Sequence, residues 1–295
     1  MIQFLAGAGS AAFYGLFLAS LYALVGMGVV LIFRSTRTVN FAHGQFAVTG
    51  GFVFLQSAQL MHMPVAVGLL LGALTVVVLS LVWGRMSLSM ERRGDDLIPL
   101  IGSFGLFLAL DGIAVMIWGG QEPFVIAPIL PEFQVKVAGT VVDSVYLWIL
   151  ATFLICSLLL GFFMQRTSVG LKLRASVQNR EAAELIGIPT RRMALIAWVI
   201  GSILAFVALM LFVPRSYLED TSMQAILLSA FAAAAVGGFE SFSGAALGAL
   251  VLGIAEALSG RYIASSLQAI VPLIVIILMI FANPRGAFVV RGQRQ

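Results

Sequence analysis

Charge is scarce in this chain of 295 residues: Asp, Glu, Lys and Arg together make up 10%, against 61% apolar residues and a mean hydropathy of +1.06. A soluble domain of that size needs far more charge on its surface, so a soluble fold is excluded. The single cysteine, Cys156, lies in an apolar run, which rules out an intrachain disulfide and a cysteine-based metal site. The two histidines, His43 and His62, fall at different ends of one apolar run, so a membrane enzyme built on a histidine metal centre fails on counting. No Gly-x-x-x-x-Gly-Lys-Ser/Thr string occurs, and any nucleotide site of that kind must sit on another chain. Residues 1–10 hold no Lys or Arg, so the basic start of a cleaved signal peptide is missing and the first apolar run is expected to be retained.

What the chain has instead is a series of long apolar runs, near 12–33, 41–60, 63–83, 97–118, 145–164, 193–213, 225–238, 244–258 and 263–282. Their length points to helices, which satisfy their own backbone hydrogen bonds in lipid, and excludes a β-barrel. The runs 225–238 and 244–258 fall short of the ~20 residues a crossing needs and read as broken or re-entrant helices. The expected fold is all-α: one polytopic helical bundle of eight to nine spans occupying 1–295.

Basic residues orient the bundle. The connections 34–40, 84–96 and 165–192 and the tail after 283 carry 14 of the 17 Lys and Arg residues, which places them in the cytoplasm by the positive-inside pattern. The amino terminus is then outside and the carboxyl terminus inside. Trp118, Tyr146, Trp148, Tyr217 and Tyr262 fall near the outer interface and Trp83 near the inner one, as aromatic belts require. The extracytoplasmic connection 119–144 is long, proline-bearing and slightly acidic, and serves either as a solvated connector or as a docking surface.

The cytoplasmic segment 165–192 is basic and polar between two spans. Within it, Arg180 to Gly187 can form a short helix, with Asn179 as N-cap, Glu181 in the first turn, and Gly187 followed by Pro189 as the stop. Such a helix gives a soluble partner something to grip.

Two further strings stand out. Asn40, His43 and Gln45 put polar groups at the start of an apolar run, and Gly237-Gly238 sits in a break between two short runs. Broken helices at membrane depth are tolerated where the freed groups meet protein or water, so such breaks tend to line a path. Close helix packing explains most of the glycines, including Gly15, Gly244 and Gly248. Two carboxylates also fall inside apolar runs. Asp111 reads as facing a path or a subunit interface, whereas snorkelling or an ion pair with Arg261 accounts for Glu256 at least as well as transport does. The candidates for a translocation path are therefore Asn40, His43, Gln45, Asp111, Gly237 and Gly238. His43 reads as a buried hydrogen-bonding anchor rather than a proton relay.

Taken together, Leu21-Tyr22-Ala23-Leu24, Asn40-Phe41-Ala42-His43-Gly44, the Glu181-Ala182-Ala183 string with Gly187, and the glycine pattern over 236–253 resemble a known family. It is the permease subunits of bacterial ABC importers for branched-chain amino acids, the leucine/isoleucine/valine type, in particular their H-type subunit. The resemblance covers nearly the whole chain. It implies an inner-membrane permease that pairs with a related M-type permease subunit, binds two ATPase subunits that carry the ATP and Mg, and receives substrate from an extracytoplasmic solute-binding protein. No cofactor is expected on this chain, no nucleic acid is implied, and membrane lipid surrounds the bundle. Glu181, Ala182, Ala183 and Gly187 match the family's coupling motif; the direct run of Pro189-Thr190-Arg191-Arg192 into the next span leaves the docking angle open. Similar permeases serve urea, short amides and aromatic acids. A stand-alone secondary transporter or channel is the rival reading, and it has no need of the Glu181 helix.

Overall fold

The computed structural model describes residues 2–91, 97–119, 123–137, 140–239 and 241–282. Helix α1 (Ile2–Thr36) is followed by α2 (His43–Phe54), which runs on through a π-helical turn, Leu55–Leu60. Then come α3 (Val65–Glu91), α4 (Leu97–Trp118), an antiparallel hairpin of β1 (Gln134–Val137) and β2 (Thr140–Asp143), α5 (Ser144–Arg166), α6 (Ser168–Gln178) and α7 (Arg180–Leu185). Helix α8 (Thr190–Phe212) ends in a 3-10 turn, and α9 (Gln224–Val236), α10 (Phe242–Tyr262), α11 (Ser265–Gln268) and α12 (Val271–Ala282) complete the order. Among the described residues six helices are long and apolar enough to cross a membrane, and α9 is a shorter apolar helix. The protein is a polytopic, almost wholly helical membrane protein.

Three local readings change. The run 244–258, expected to be too short, belongs to the 21-residue α10, because Ser241 caps it early, its hydroxyl accepting from the Gly244 N–H at 3.0 Å. The run 263–282 is instead broken into α11 and α12, with Pro272 in the first turn of α12, where a missing N–H is harmless. The connection 84–96 is helical through Glu91, as the end of α3. The hairpin inside 119–144 was not expected; its register pairs Gln134 with Asp143, and the Gln134 amide donates to the Asp143 carboxylate at 2.9 Å.

The contacts divide the chain into two units. The first holds Met1–Val30, Leu130–Phe153 and Gln224–Gln295. Here small residues bring backbones together: a Cβ on Gly253 would lie 2.5 Å from the Gly15 carbonyl oxygen, and one on Gly248 would lie 2.3 Å from that of Ala233. Phe17 stacks on Tyr146 with ring centroids 4.7 Å apart. The packing explanation for Gly15 and Gly248 is therefore the observed one.

The second unit holds Leu31–Ile129 and Leu154–Met223. Helices α2, α3 and α8 pack together in it, Gly50 against Gly72 with the Phe206 ring beside both, and Gly84 against Trp198. These contacts make α3 antiparallel to both α2 and α8, and so α2 parallel to α8. Along α3, Gly68, Gly72, Val76 and Ser80 are buried, while Leu70, Leu74, Val78, Val82 and Met86 form an exposed stripe with the spacing of one helix face. In a membrane, such a stripe meets lipid tails or another apolar helix. At one end of α4, Trp118 stacks on Phe52 and its indole N–H donates to the Gln56 side chain at 3.1 Å.

Candidate functional site

Helix α2 begins in an unusual way. Asn40 turns its side-chain oxygen back to accept from the Ala42 N–H at 3.1 Å, which starts the helix without a capping side chain on Ala42 itself. The Phe41 N–H is taken up by the Ser103 hydroxyl of α4 at 3.1 Å. Two turns further along α4, on the same face as Ser103, the Asp111 carboxylate accepts from the Gln45 amide at 3.4 Å. Asn40, Gln45 and Asp111 thus come together where α2 meets α4, and His43 is the first residue of α2. Gln45, Asn40 and His43 are buried, and Asp111 is partly exposed.

The hydrogen-bond account of this region does not close. His43 is 1% exposed, and among the described residues neither ring nitrogen has a partner; nor has the side-chain nitrogen of Asn40. On α8, which packs on α2, the Trp198 indole N–H and the Ser202 hydroxyl one turn later are also buried without a partner. Unmet polar atoms of this kind are uncommon and costly, each worth about 1–3 kcal/mol. Ser103, Trp198 and Ser202 escaped the sequence reading. A lone serine in an apolar helix normally bonds its own backbone; Ser103 is singled out only by its tertiary bond to the Phe41 N–H, and Trp198 and Ser202 only by their burial.

In the other unit, Gly237 and Gly238 form the turn after α9. Gly238 has a φ of +77°, which favours glycine, and a Cβ on Gly237 would lie 2.5 Å from the Ala245 nitrogen, so a side chain at Gly237 is excluded by the backbone of α10. Glu256 corrects the expectation set for it. It is 2% exposed, and it is neither snorkelling nor held by Arg261: one carboxylate oxygen accepts from the Tyr22 hydroxyl at 2.6 Å and the other from the Ser229 hydroxyl at 3.1 Å. One carboxylate thereby ties α1, α9 and α10.

The 165–192 segment holds two short helices, each capped at its start. Thr167 caps α6 by accepting from the Gly170 N–H at 3.0 Å, and α6 turns so tightly off α5 that a Cβ on Gly170 would lie 2.1 Å from the Phe163 carbonyl oxygen. Asn179 caps α7 as its sequence implies, accepting from the Ala182 N–H at 2.9 Å. At the other end, Gly187 has a φ of +80°, with its N–H on the Glu184 carbonyl and the Ile188 N–H on the Ala183 carbonyl, the paired bonds of a Schellman cap. Side chains hold the helix to its own chain: Thr190 donates to Glu184, Arg180 lies 3.4 Å from Glu91, and Ala183 is 3% exposed. Glu181 and Ala182 face outward.

Comparisons with known proteins agree with this architecture. Residues 11–281 match the family described as branched-chain amino acid transport system / permease component. The chain is 31% identical to the high-affinity branched-chain amino acid transport system permease protein LivH of Escherichia coli strain K12, over 93% of each chain. It is 27% identical to BraD, the corresponding high-affinity permease protein of Pseudomonas aeruginosa, over 92% of each. It is likewise 27% identical to a probable branched-chain amino acid transport permease protein of Methanocaldococcus jannaschii, over 91% of this chain and 88% of the relative. In fold alone it is similar to PsaBC from Streptococcus pneumoniae in complex with Fab, with a TM-score of 0.52 at 16% identity over 97% of both chains. With the match spanning every described span, and relatives aligned along almost their full length, the chain belongs to the family of permease components of branched-chain amino acid transport systems.

Proposed function

We propose that this chain is the membrane permease of an ATP-driven importer and passes branched-chain or related amino acids handed to it by a solute-binding protein. The observation that carries the reading is the family match over 11–281 together with a short helix, α7, capped at both ends and braced against its own chain. In this reading the chain crosses the bacterial inner membrane eight or nine times as one permease domain, with its amino terminus outside, its carboxyl terminus in the cytoplasm, 165–192 as the coupling loop and 119–144 outside. Its partners are a second, M-type permease subunit, two ATPase subunits holding ATP and Mg, and the binding protein; the chain itself performs no chemistry.

Glu181, Ala182, Ala183 and Gly187 form the coupling element. ATP-driven closure of the ATPases moves α7, and the permease exchanges its outward and inward states because each state holds its partners differently. A braced helix suits that task, since a loose one would absorb the displacement. In the second unit Asn40, His43, Gln45 and Asp111 are the candidate polar groups of the path, and in the first unit Gly237 and Gly238 are separate candidates for it. A zwitterionic solute needs such groups, and the unmet hydrogen-bonding capacity around His43 supports this placement.

The test is uptake by the full transporter in proteoliposomes. Replacing Glu181 or Gly187 with a bulky residue abolishes uptake while the binding protein still captures its solute; normal uptake by a correctly inserted variant removes the coupling role. Calorimetry of the binding protein with leucine, isoleucine and valine, against urea, short amides and aromatic acids, identifies the solute.

A further inference from the structure

Helix α8 carries two enclosed polar side chains on one face, and neither has a partner among the described residues. Trp198 and Ser202 are buried and lie one turn apart. Phe206, a further turn along that face, meets α2 beside Gly50, where a Cβ would come within 3.1 Å of its ring. His43 precedes Gly50 by two turns of α2 and so shares its face. Since α2 and α8 run parallel, His43 lies about 10.5 Å before the Gly50 contact, against about 6 Å for Ser202 and about 12 Å for Trp198. The three residues therefore occupy one level of the seam that α2 and α8 make with α3, whose Gly84 packs on Trp198.

The chemistry of this layer is one-sided. An indole N–H only donates, a hydroxyl can donate, and a neutral imidazole offers one N–H and one acceptor, so donors are in excess. Asn40, just before α2, adds a further unmet nitrogen that only donates. Ser80 of α3, one turn from Gly84, is buried as well but does not belong to the set, because its hydroxyl donates to the Val77 carbonyl at 2.9 Å. A carboxylate, whose two oxygens only accept, answers such a layer; an ammonium group, which only donates, does not.

We propose that His43, Trp198 and Ser202 form the subsite that takes the carboxylate of the solute as it passes. This rests on the permease reading above and adds to it two residues of α8 and the end of the solute they recognise. With the seam closed, the unmet donors cost stability; a carboxylate that enters as α2 and α8 part supplies their partners. The solute then binds the parted seam better than the closed one, which is the differential affinity that an exchange of states needs.

The experiment uses the full transporter with its binding protein in proteoliposomes, leucine as the solute, and thermal unfolding recorded for each variant. Ser202→Ala removes a hydroxyl that has no partner in the closed seam, so the unfolding temperature holds or rises. Uptake at saturating binding protein falls about tenfold, the worth of one hydrogen bond to a charged group. Trp198→Phe, which keeps an aromatic ring and loses the N–H, does the same to uptake. In nanodiscs without the binding protein, 4-methylpentanoate, a carboxylate without an ammonium group, changes the fluorescence that Trp198→Phe removes, and 3-methylbutylamine, the ammonium alone, does not. Wild-type uptake in both variants, with leucine imported at the expense of ATP, overturns the subsite and leaves the permease reading standing. A fall in uptake matched by a fall in unfolding temperature assigns the two residues to packing and overturns the proposal, as does an equal fluorescence response to the amine and the acid. A wild-type transporter that imports no amino acid with ATP overturns the permease reading and the subsite together.

Discussion

The two units treat buried polar groups in opposite ways. In the unit containing α9 and α10, the Glu256 carboxylate is enclosed, yet each of its oxygens accepts from a hydroxyl, Tyr22 on one side and Ser229 on the other. In the unit containing α2 and α8, the ring of His43, the amide nitrogen of Asn40, the indole of Trp198 and the hydroxyl of Ser202 are enclosed without partners among the described residues. A satisfied network rigidifies the helices it joins, whereas unmet donors and acceptors cost stability and persist only where something else requires them. The comparison assigns the intramembrane carboxylate of the first unit to architecture. In the function proposed above, the polar groups of the second unit are the ones offered to a passing solute. An intramembrane charge is a functional candidate by default, and here its hydrogen bonds, more than its charge, separate the structural from the functional case.

The largest effect that sharpens this contrast is at Glu256. Substituting Glu256→Ala strands the Tyr22 and Ser229 hydroxyls and leaves a small void, an expected loss of about 2–4 kcal/mol. Tyr22→Phe removes one bond only and is expected to cost about 1 kcal/mol, in keeping with side-chain hydrogen bonds between membrane helices. Thermal unfolding of the purified permease in detergent measures both. Equal and negligible shifts would dissolve the distinction between the units, since Glu256 would then contribute no more than an unpartnered group.

How much of this was readable beforehand depends on the range of the interaction. Local signals read well: α4 begins and ends at the expected residues, Asn179 and Gly187 cap α7 as their residue types demand, and Asn40, His43 and Gln45 do sit together at one helix start. Each of these follows from side chains acting within a few positions of themselves. Pairings distant in sequence were out of reach. Tyr22 and Glu256 are separated by 234 positions, and nothing near Glu256 distinguishes a carboxylate met by two hydroxyls from one reaching for Arg261. The length of α10 was misjudged because the polar residues at its ends were left outside the apolar run 244–258, although Ser241 is its N-cap and Arg261 lies in its last turn.

An intermediate effect is expected at His43, with a change of sign as the informative outcome. Replacing the ring by an apolar one of similar shape, His43→Phe, discards two unmet buried polar atoms, so stability is expected to stay within about 1 kcal/mol of wild type or to rise. Solute flux through the reconstituted transporter is expected to fall at least tenfold if the polar ring serves the path. A variant that loses stability while keeping full flux would place His43 in the same structural class as Glu256. Alanine at both Asn40 and His43, with rate and solute preference unchanged, would do the same for the whole cluster.

The smallest stability effect belongs to the Gln45 and Asp111 pair, and it bears most directly on whether the second unit offers its polar groups to a solute. The bond between them is long, at 3.4 Å, and Asp111 is only partly enclosed, so Gln45→Ala is expected to lower stability by no more than about 0.5 kcal/mol. The same is not expected of transport. Gln45 lies on α2 and Asp111 on α4, so the bond spans two helices, and a solute's ammonium or carboxylate passing between them competes for one or other of these groups. Removing the amide frees the carboxylate for a cation, and removing the carboxylate frees the amide for an anion. Gln45→Ala and Asp111→Asn should therefore shift preference between solutes of different charge in opposite directions, as read by competition uptake in proteoliposomes at fixed ATP. Equal losses for every solute in both variants would mean that the pair only fastens α2 to α4, and the second unit would then differ from the first in packing economy rather than in purpose.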